Sequence, residues 1–189
     1  GNPNPKFTGG WSHQMNYKNW DMSVFVNFSY GNQIYNANKI ELTNAYTLNG
    51  NMLDITANRW KTIGPDGSVL QWVNSANQAV GVDPSYLSKL NVNATMWQPL
   101  KSAGAFYPSS WAIEDGSFLR LNNVTLGYTV RSKELSKMKI SKLRFYVTGN
   151  NLAIWTSYTG YDPEVSVANS GLTPGLDYSA YPKSKSFIF

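Results

Sequence analysis

Two long stretches of alternating apolar and polar residues, joined by only two residues, constrain this chain more than anything else in it. From Phe7 to Tyr17, Phe7, Trp11, Met15 and Tyr17 fall in one phase, and Thr8, Ser12, Gln14 and Asn16 fall in the other. Lys18-Asn19 turns the chain. From Trp20 to Tyr30, Trp20, Met22, Val24, Val26, Phe28 and Tyr30 then oppose Asp21, Ser23, Asn27 and Ser29. A period of two is the signature of an extended strand with unlike faces. Sustained over about ten residues, it exceeds the five or six of an ordinary globular strand and matches a tilted strand crossing a bilayer. Tyr17 and Trp20 flank the turn and Tyr30 closes the far end, where interfacial aromatics belong. His13 and Phe25 break the pattern, each in the phase of the opposite kind.

Composition fits this reading. Charged residues make up 14% of the 189 and aromatics another 14%, against about 25% charged in average soluble proteins. No run of about 18 apolar residues occurs, which excludes a transmembrane helix but not a barrel strand. With no cysteine, disulfides and thiol chemistry are excluded. The opening Gly1-Asn2-Pro3-Asn4-Pro5 reads as a polar loop and not as a signal peptide, so a membrane reading implies a piece of a longer chain. The net charge is +5, and the only dense basic stretch is Arg131, Lys133, Lys137, Lys139, Lys142 and Arg144. That cluster reads first as a solvated turn and second as an attraction for anionic lipid head groups. Nucleic acid is not expected, because no recognition helix or base-stacking motif accompanies the charges.

Alternation stops at Gly31-Asn32 and returns near Ser117, an interval too long for a structureless connection. Helix signals lie within it. Asn38 with Glu41 forms a capping-box variant ahead of Ile40, Leu42, Ala45, Tyr46 and Leu48, with Asn49-Gly50 as the stop. Asp83-Pro84 starts a short helix through Leu90, and Gly64-Pro65-Asp66-Gly67 marks a turn. In 117–130, Leu119 and Leu121 share one phase while Val124, Leu126, Tyr128 and Val130 take the other; the slip at Asn122-Asn123 implies a bulge or an exit from the membrane. After a short turn at 131–139, with Ser132 as a cap, 142–156 sets Leu143, Phe145 and Val147 against Arg144, Tyr146 and Thr148. A Gly/Pro-rich loop at 157–182 precedes a short fifth strand at 183–189.

The expected fold is therefore all-β: antiparallel strands from the C-terminal part of a transmembrane β-barrel, near 7–17, 20–30, 117–130, 142–156 and 183–189. Short turns then alternate with long external loops near 31–116 and 157–182, the first of them a long, partly helical extracellular loop. Residues 1–189 count as one barrel segment. Trp20, Met22, Val24, Val26, Phe28, Phe145 and Val147 are the expected lipid-facing residues, and Arg120, Arg144 and Tyr146 are candidates for the lumen.

The same segments resemble the C-terminal part of SusC/RagA-like TonB-dependent outer-membrane transporters. The resemblance is carried by GNPNPKFTGG, YKNWDMSVFVNFSYGNQIYNANK, DGSFLRLNNVTLGYTV, KLRFYVTGNNLAIWTSYTGYDPEVS and GLDYSAYPKSKSF, in the family's order. It implies a bacterial outer-membrane location and import of an oligosaccharide or peptide. The implied partners are a SusD-like surface lipoprotein and the TonB complex, with membrane lipid around the wall. On this resemblance the chain corresponds to roughly the last fifth of such a transporter, without plug or TonB-contacting segment, and by itself transports nothing. Its five strands are too few to close a membrane barrel.

Enzymatic chemistry is not expected, nor is a cofactor or a metal. His13 is the single histidine and has no matched nucleophile. Asp162-Pro163-Glu164 and Glu114-Asp115 offer carboxylates, but the sequence sets no spacing between them, and Asp-Pro is an ordinary turn former. Calcium-loop and phosphate-loop patterns are absent. The candidates for substrate or partner contact are the loop aromatics Trp60, Trp72, Trp97, Trp111, Tyr158 and Tyr161, with Tyr107 beside them. Such rings suit sugar stacking, a lid protein, or the packing of the loops' own small cores. The rival architecture is a soluble β-sandwich that binds glycans through exposed Trp and Tyr.

Overall fold

The computed structural model describes residues 1–43, 50–74, 76, 78–81, 83–98, 109–131, 135, 139–140, 142–164 and 174–189. Its principal element is a five-stranded antiparallel sheet built from β1 (Phe7–Tyr17), β2 (Trp20–Tyr30), β7 (Phe118–Val130), β8 (Leu143–Thr156) and β10 (Ser186–Ile188), in the order β1-β2-β7-β8-β10. Strands β1 and β2 pair over their whole length, from Phe7↔Tyr30 to Tyr17↔Trp20. The turn closes because Lys18 takes a positive φ of 55°, which two-residue hairpin loops require.

Pairing puts every apolar phase on the same side. Trp20, Met22 and Val24 lie opposite Tyr128, Leu126 and Val124, and beyond a register shift Val26 and Phe28 lie opposite Leu121 and Leu119. The slip at Asn122-Asn123 is thus a β-bulge, and it keeps both halves of β7 apolar on one face. Strand β8 continues that face, with Phe145 opposite Tyr128, Val147 opposite Leu126 and Trp155 opposite Leu119. Phe7 stacks on Tyr30 at one end and Trp20 tilts against Tyr128 at the other, with centroids 5.0 and 4.8 Å apart. His13 sits on this apolar face, stacked on Trp11 at 5.2 Å. Phe25 sits on the polar face, against the backbone of Gly10.

The connections are more ordered at their bases than loops. β3 (Gln33–Asn36) pairs antiparallel with β6 (Ile113–Asp115) and parallel with β9 (Leu176–Asp177), making a small second sheet. The interval expected as one loop is therefore divided. Its ends belong with the long strands, in the unit of Gly1–Asn38 and Ser109–Phe189, while Lys39–Pro108 forms its own compact unit. That unit holds the hairpin β4 (Gln71–Val73) and β5 (Ala79–Gly81), and α2 (Pro84–Leu90) capped by Asp83, which accepts the Ser85 N–H at 2.9 Å. The core residues of that unit include Leu70, Leu87 and Met96.

Two expectations need correction. Asn38 does not cap a helix: α1 (Ala37–Glu41) begins before it, and its side-chain oxygen accepts the Ser179 N–H at 2.6 Å instead. The continuation through Ala45, Tyr46 and Leu48 lies outside the described residues, as does Ser132. The last strand is confined to Ser186–Ile188, because Lys183 is already engaged, its N–H on Asp162 and its carbonyl on the Asn151 side chain. None of the described helices is long and apolar enough to cross a membrane, which leaves strand crossings open.

Gly9 lies directly beneath the Phe28 ring, where a Cβ would come within 2.6 Å of it. Gly9→Val is expected to push Phe28 off its seat and destabilise the hairpin by about 1–3 kcal/mol. A lower denaturant midpoint in detergent or lipid checks this.

Candidate functional site

The polar face of the large sheet carries the chemistry. Across its middle runs a ladder of neutral hydrogen bonds: Thr125 with Thr148 at 2.9 Å, Asn123 donating to Asn150 at 2.7 Å, and Asn150 donating to Ser186 at 3.1 Å. Nearer the short turns, Arg144 reaches across β7 to grip both oxygens of Asp21, at 3.1 and 2.5 Å. Gly127 makes that reach possible, since a Cβ there would lie 2.5–2.6 Å from the guanidinium and the carboxylate. A polar cavity of about 430 Å³ adjoins the pair, rimmed by Gln14, Lys18, Arg131 and Lys142.

Toward the long connections the same face holds a buried ionic cluster. Arg120 is 1% exposed and Asp162 3%. The Arg120 guanidinium pairs with Asp162, lies 2.7 Å from the Glu164 carboxylate and donates to the Asn151 side chain at 2.5 Å. Asn151 can accept because the β8 backbone there adopts a positive φ of 52°, within the irregular pairing opposite Asn122. Asn27 donates to Glu164 at 3.3 Å and accepts from Asn122 at 2.7 Å, and Lys183 Nζ lies 2.8 Å from Glu164. Arg120 and Asp162 thus satisfy one another out of water, while Glu164 joins them to Lys183 at the solvent edge. Removing Arg120 or Asp162 costs about 3–5 kcal/mol, because the other charge of the pair stays buried and unpaired.

A second tie joins the connections that hold this cluster. Tyr158 donates to the fully buried Asp177 at 2.6 Å, and Glu114 accepts from the Thr159 N–H at 2.9 Å and its hydroxyl at 2.7 Å. Burial, and then the hydrogen bond to Asp177, raise the Tyr158 phenol well above its ordinary pKa, so it remains a proton donor. The other oxygen of Asp177 has no hydrogen-bond partner among the described residues.

The aromatic candidates are dispersed. Trp60, half-buried, lines a cavity of about 320 Å³ with Arg59, Lys61, Ile63 and Gln98. Trp97 is exposed, and Trp72 lies in β4. Trp111 is half-buried in the 3-10 turn Ser110–Ala112, Tyr158 is buried, and Tyr161 is 70% exposed. Tyr107 lies outside the described residues. Among the described residues no cluster of three or more His, Cys, Asp or Glu side chains converges to hold a metal. Sequence reasoning set Arg120 on the lumen side and took Asp162-Pro163-Glu164 for a turn, but missed that they meet. The available signal was an arginine in the polar phase of an otherwise uncharged strand, followed by a carboxylate pair in the next long connection.

No family model matches this sequence. Among curated proteins, a TonB-dependent receptor of Formosa agariphila is 30% identical over 99% of the chain, which covers 16% of that receptor. The TonB-dependent receptor SusC of Bacteroides thetaiotaomicron is 26% identical over 82% of the chain and 18% of its own length. The chain is a segment of a SusC/RagA-like TonB-dependent receptor. Among solved structures, the RagAB peptide importer in its open-open state superposes with a TM-score of 0.66 at 22% identity, over 97% of this chain and 16% of that one. Its closed-closed state gives 0.64 over the same shares. The chain thus spans about a sixth of the length of these relatives, and it shares the antiparallel barrel-strand fold of the RagAB structures.

Within the receptor segment, Tyr158→Phe leaves Asp177 buried with neither oxygen paired among the described residues. It is expected to destabilise the folded receptor by about 1–3 kcal/mol, read as a lower midpoint of unfolding in detergent, with a smaller effect for the exposed Tyr161→Phe.

Proposed function

We propose that this chain is barrel wall and extracellular connection in an outer-membrane importer, with the apolar face of β1, β2, β7, β8 and β10 against lipid and the polar face toward the lumen. The observation that carries this is the uncovered apolar face. Trp11, Trp20, Phe145, Trp155 and Phe187 are between 48% and 61% exposed, although together they make up a continuous hydrophobic surface of the kind proteins keep covered. Met22, Val24, Val26, Phe28 and Val147 lie between them, half-buried by their neighbours, and belong to the same lipid-facing set. Trp20 and Tyr30 stand ten residues apart, roughly 34 Å along the strand at about 3.4 Å per residue. A tilt of about 40° shortens this to roughly 25 Å, the height of the apolar band of outer-membrane barrels.

The whole receptor, on this reading, admits an oligosaccharide or peptide from outside and releases it after TonB-driven rearrangement, with a SusD-like lipoprotein at its outer mouth. The likeness to RagAB, a peptide importer, and to the receptor SusC supports that assignment. The exposed rings Trp97 and Tyr161, with Trp60 in its cavity, are the proposed contacts for substrate or lid, while Trp72 and Trp111 remain candidates from their position in the connections. The chain supplies wall and loops and no catalysis. The β-sandwich alternative requires a second sheet over the apolar face, and the exposure of Trp11, Phe145 and Trp155 argues against one.

Val24 sits mid-strand, opposite His13 and Val124. In the full-length receptor, Val24→Arg is expected to cost about 2–4 kcal/mol of folding free energy in lipid, as for a charge facing the bilayer midplane. Ser23→Arg, one residue along and facing the lumen, is expected to be nearly neutral. Equal costs at the two positions, measured by unfolding in liposomes, refute the assignment of faces.

A further inference from the structure

We propose that Arg120 is a positioning residue that pins the two described arms of the connection after β8, 157–164 and 174–185, onto the lumen face, making those arms a fixed ledge in the passage and not the arms of a swinging lid. This rests on the barrel-wall reading and adds to it the part of the wall that does not move. The near arm brings Asp162 and Glu164 to Arg120, and the far arm brings Lys183 to Glu164, with its N–H on Asp162 and its carbonyl on Asn151. The two carboxylates and the amide that one guanidinium holds thus also hold Lys183, and through them both arms are tied to β7 and β8.

Depth is the second argument. The anchoring groups are not at the strand ends: Arg120 follows Phe118 by two residues, Asn27 precedes Tyr30 by three, and Asn151 precedes Thr156 by five. The two described arms thus lie back along the polar face before β10 begins. The charges are matched two to two, and Arg120 and Asp162 are almost fully buried, so release would expose unpaired charge within the cluster. The Tyr158–Asp177 and Thr159–Glu114 contacts hold the same arms at a second level. A hinged lid needs a weak, exposed attachment; this one is doubled, and at its centre, where Arg120 meets Asp162 and Tyr158 meets Asp177, it is buried.

The segment contains no cysteine, so the test uses Pro163→Cys, at a buried position between the two carboxylates, in the full-length receptor otherwise free of reactive thiols. Labelling by a membrane-impermeant maleimide is followed in receptor whose barrel is shown intact by heat-modifiable migration. Cys at 163 is expected to react slowly in the otherwise unaltered receptor and at least about tenfold faster with Arg120→Gln. Asp21→Asn, which breaks the other ion pair of the same face without touching the connection, is expected to leave the rate unchanged. Glu164→Gln, which keeps the Arg120–Asp162 pair, is expected to give an intermediate rate, and it decides the matter if Arg120→Gln does not assemble. Fast labelling before any clamp substitution, or protection that survives both substitutions in an intact barrel, overturns the clamp and leaves the wall reading standing. If the unaltered receptor forms no heat-modifiable barrel, both fall.

Discussion

Backbone pairing forces side chains to alternate, and everything else in the larger unit follows from keeping that alternation in step across five strands. A one-residue error of register would exchange the two faces of a strand completely. The hairpin at Lys18-Asn19 sets the step for β1 and β2. Strand β7 then has to absorb an extra residue, and the bulge at Asn122 restores its phase so that Leu119 and Leu121 join Val124, Leu126 and Tyr128. Without that correction half of β7 would present leucines to the polar side and arginine to the apolar one.

The same irregularity that preserves the apolar face also builds the polar site. Opposite Asn122, β8 runs through a residue with positive φ, Asn151, whose side chain meets Arg120 and the Lys183 carbonyl. Bulges re-aim side chains, and here the re-aimed amide accepts a hydrogen bond from a buried guanidinium. Packing, register and electrostatics are therefore one arrangement. The glycines take part for steric reasons: Gly9 admits the Phe28 ring and Gly127 admits the Asp21–Arg144 pair.

Much of the sheet was legible in the sequence because strand alternation is a local property. The hairpin follows from period-two patterning and a two-residue break, and the phase slip at Asn122-Asn123 announces the bulge. The cap at Asp83 is equally local, a carboxylate next to a proline. The failures were non-local. Asn38 carries a capping signal, but an amide 141 positions later takes its oxygen. The last strand reads as starting at Lys183, but contacts with Asp162 and Asn151 delay it to Ser186. Tyr158 has the composition of a binding aromatic, and its hydroxyl is instead spent on Asp177.

By itself the sequence determined the four long strands, which of their faces is apolar, and the family to which the segment belongs, because each is written in short-range order along the chain. It could not determine that Arg120 meets Asp162, 42 positions away, and Glu164 beyond it, nor that β3 finds β9. Those contacts join groups that only the folded sheet brings within reach, and a charge in a linear sequence carries no record of the partner that will neutralise it once water is gone.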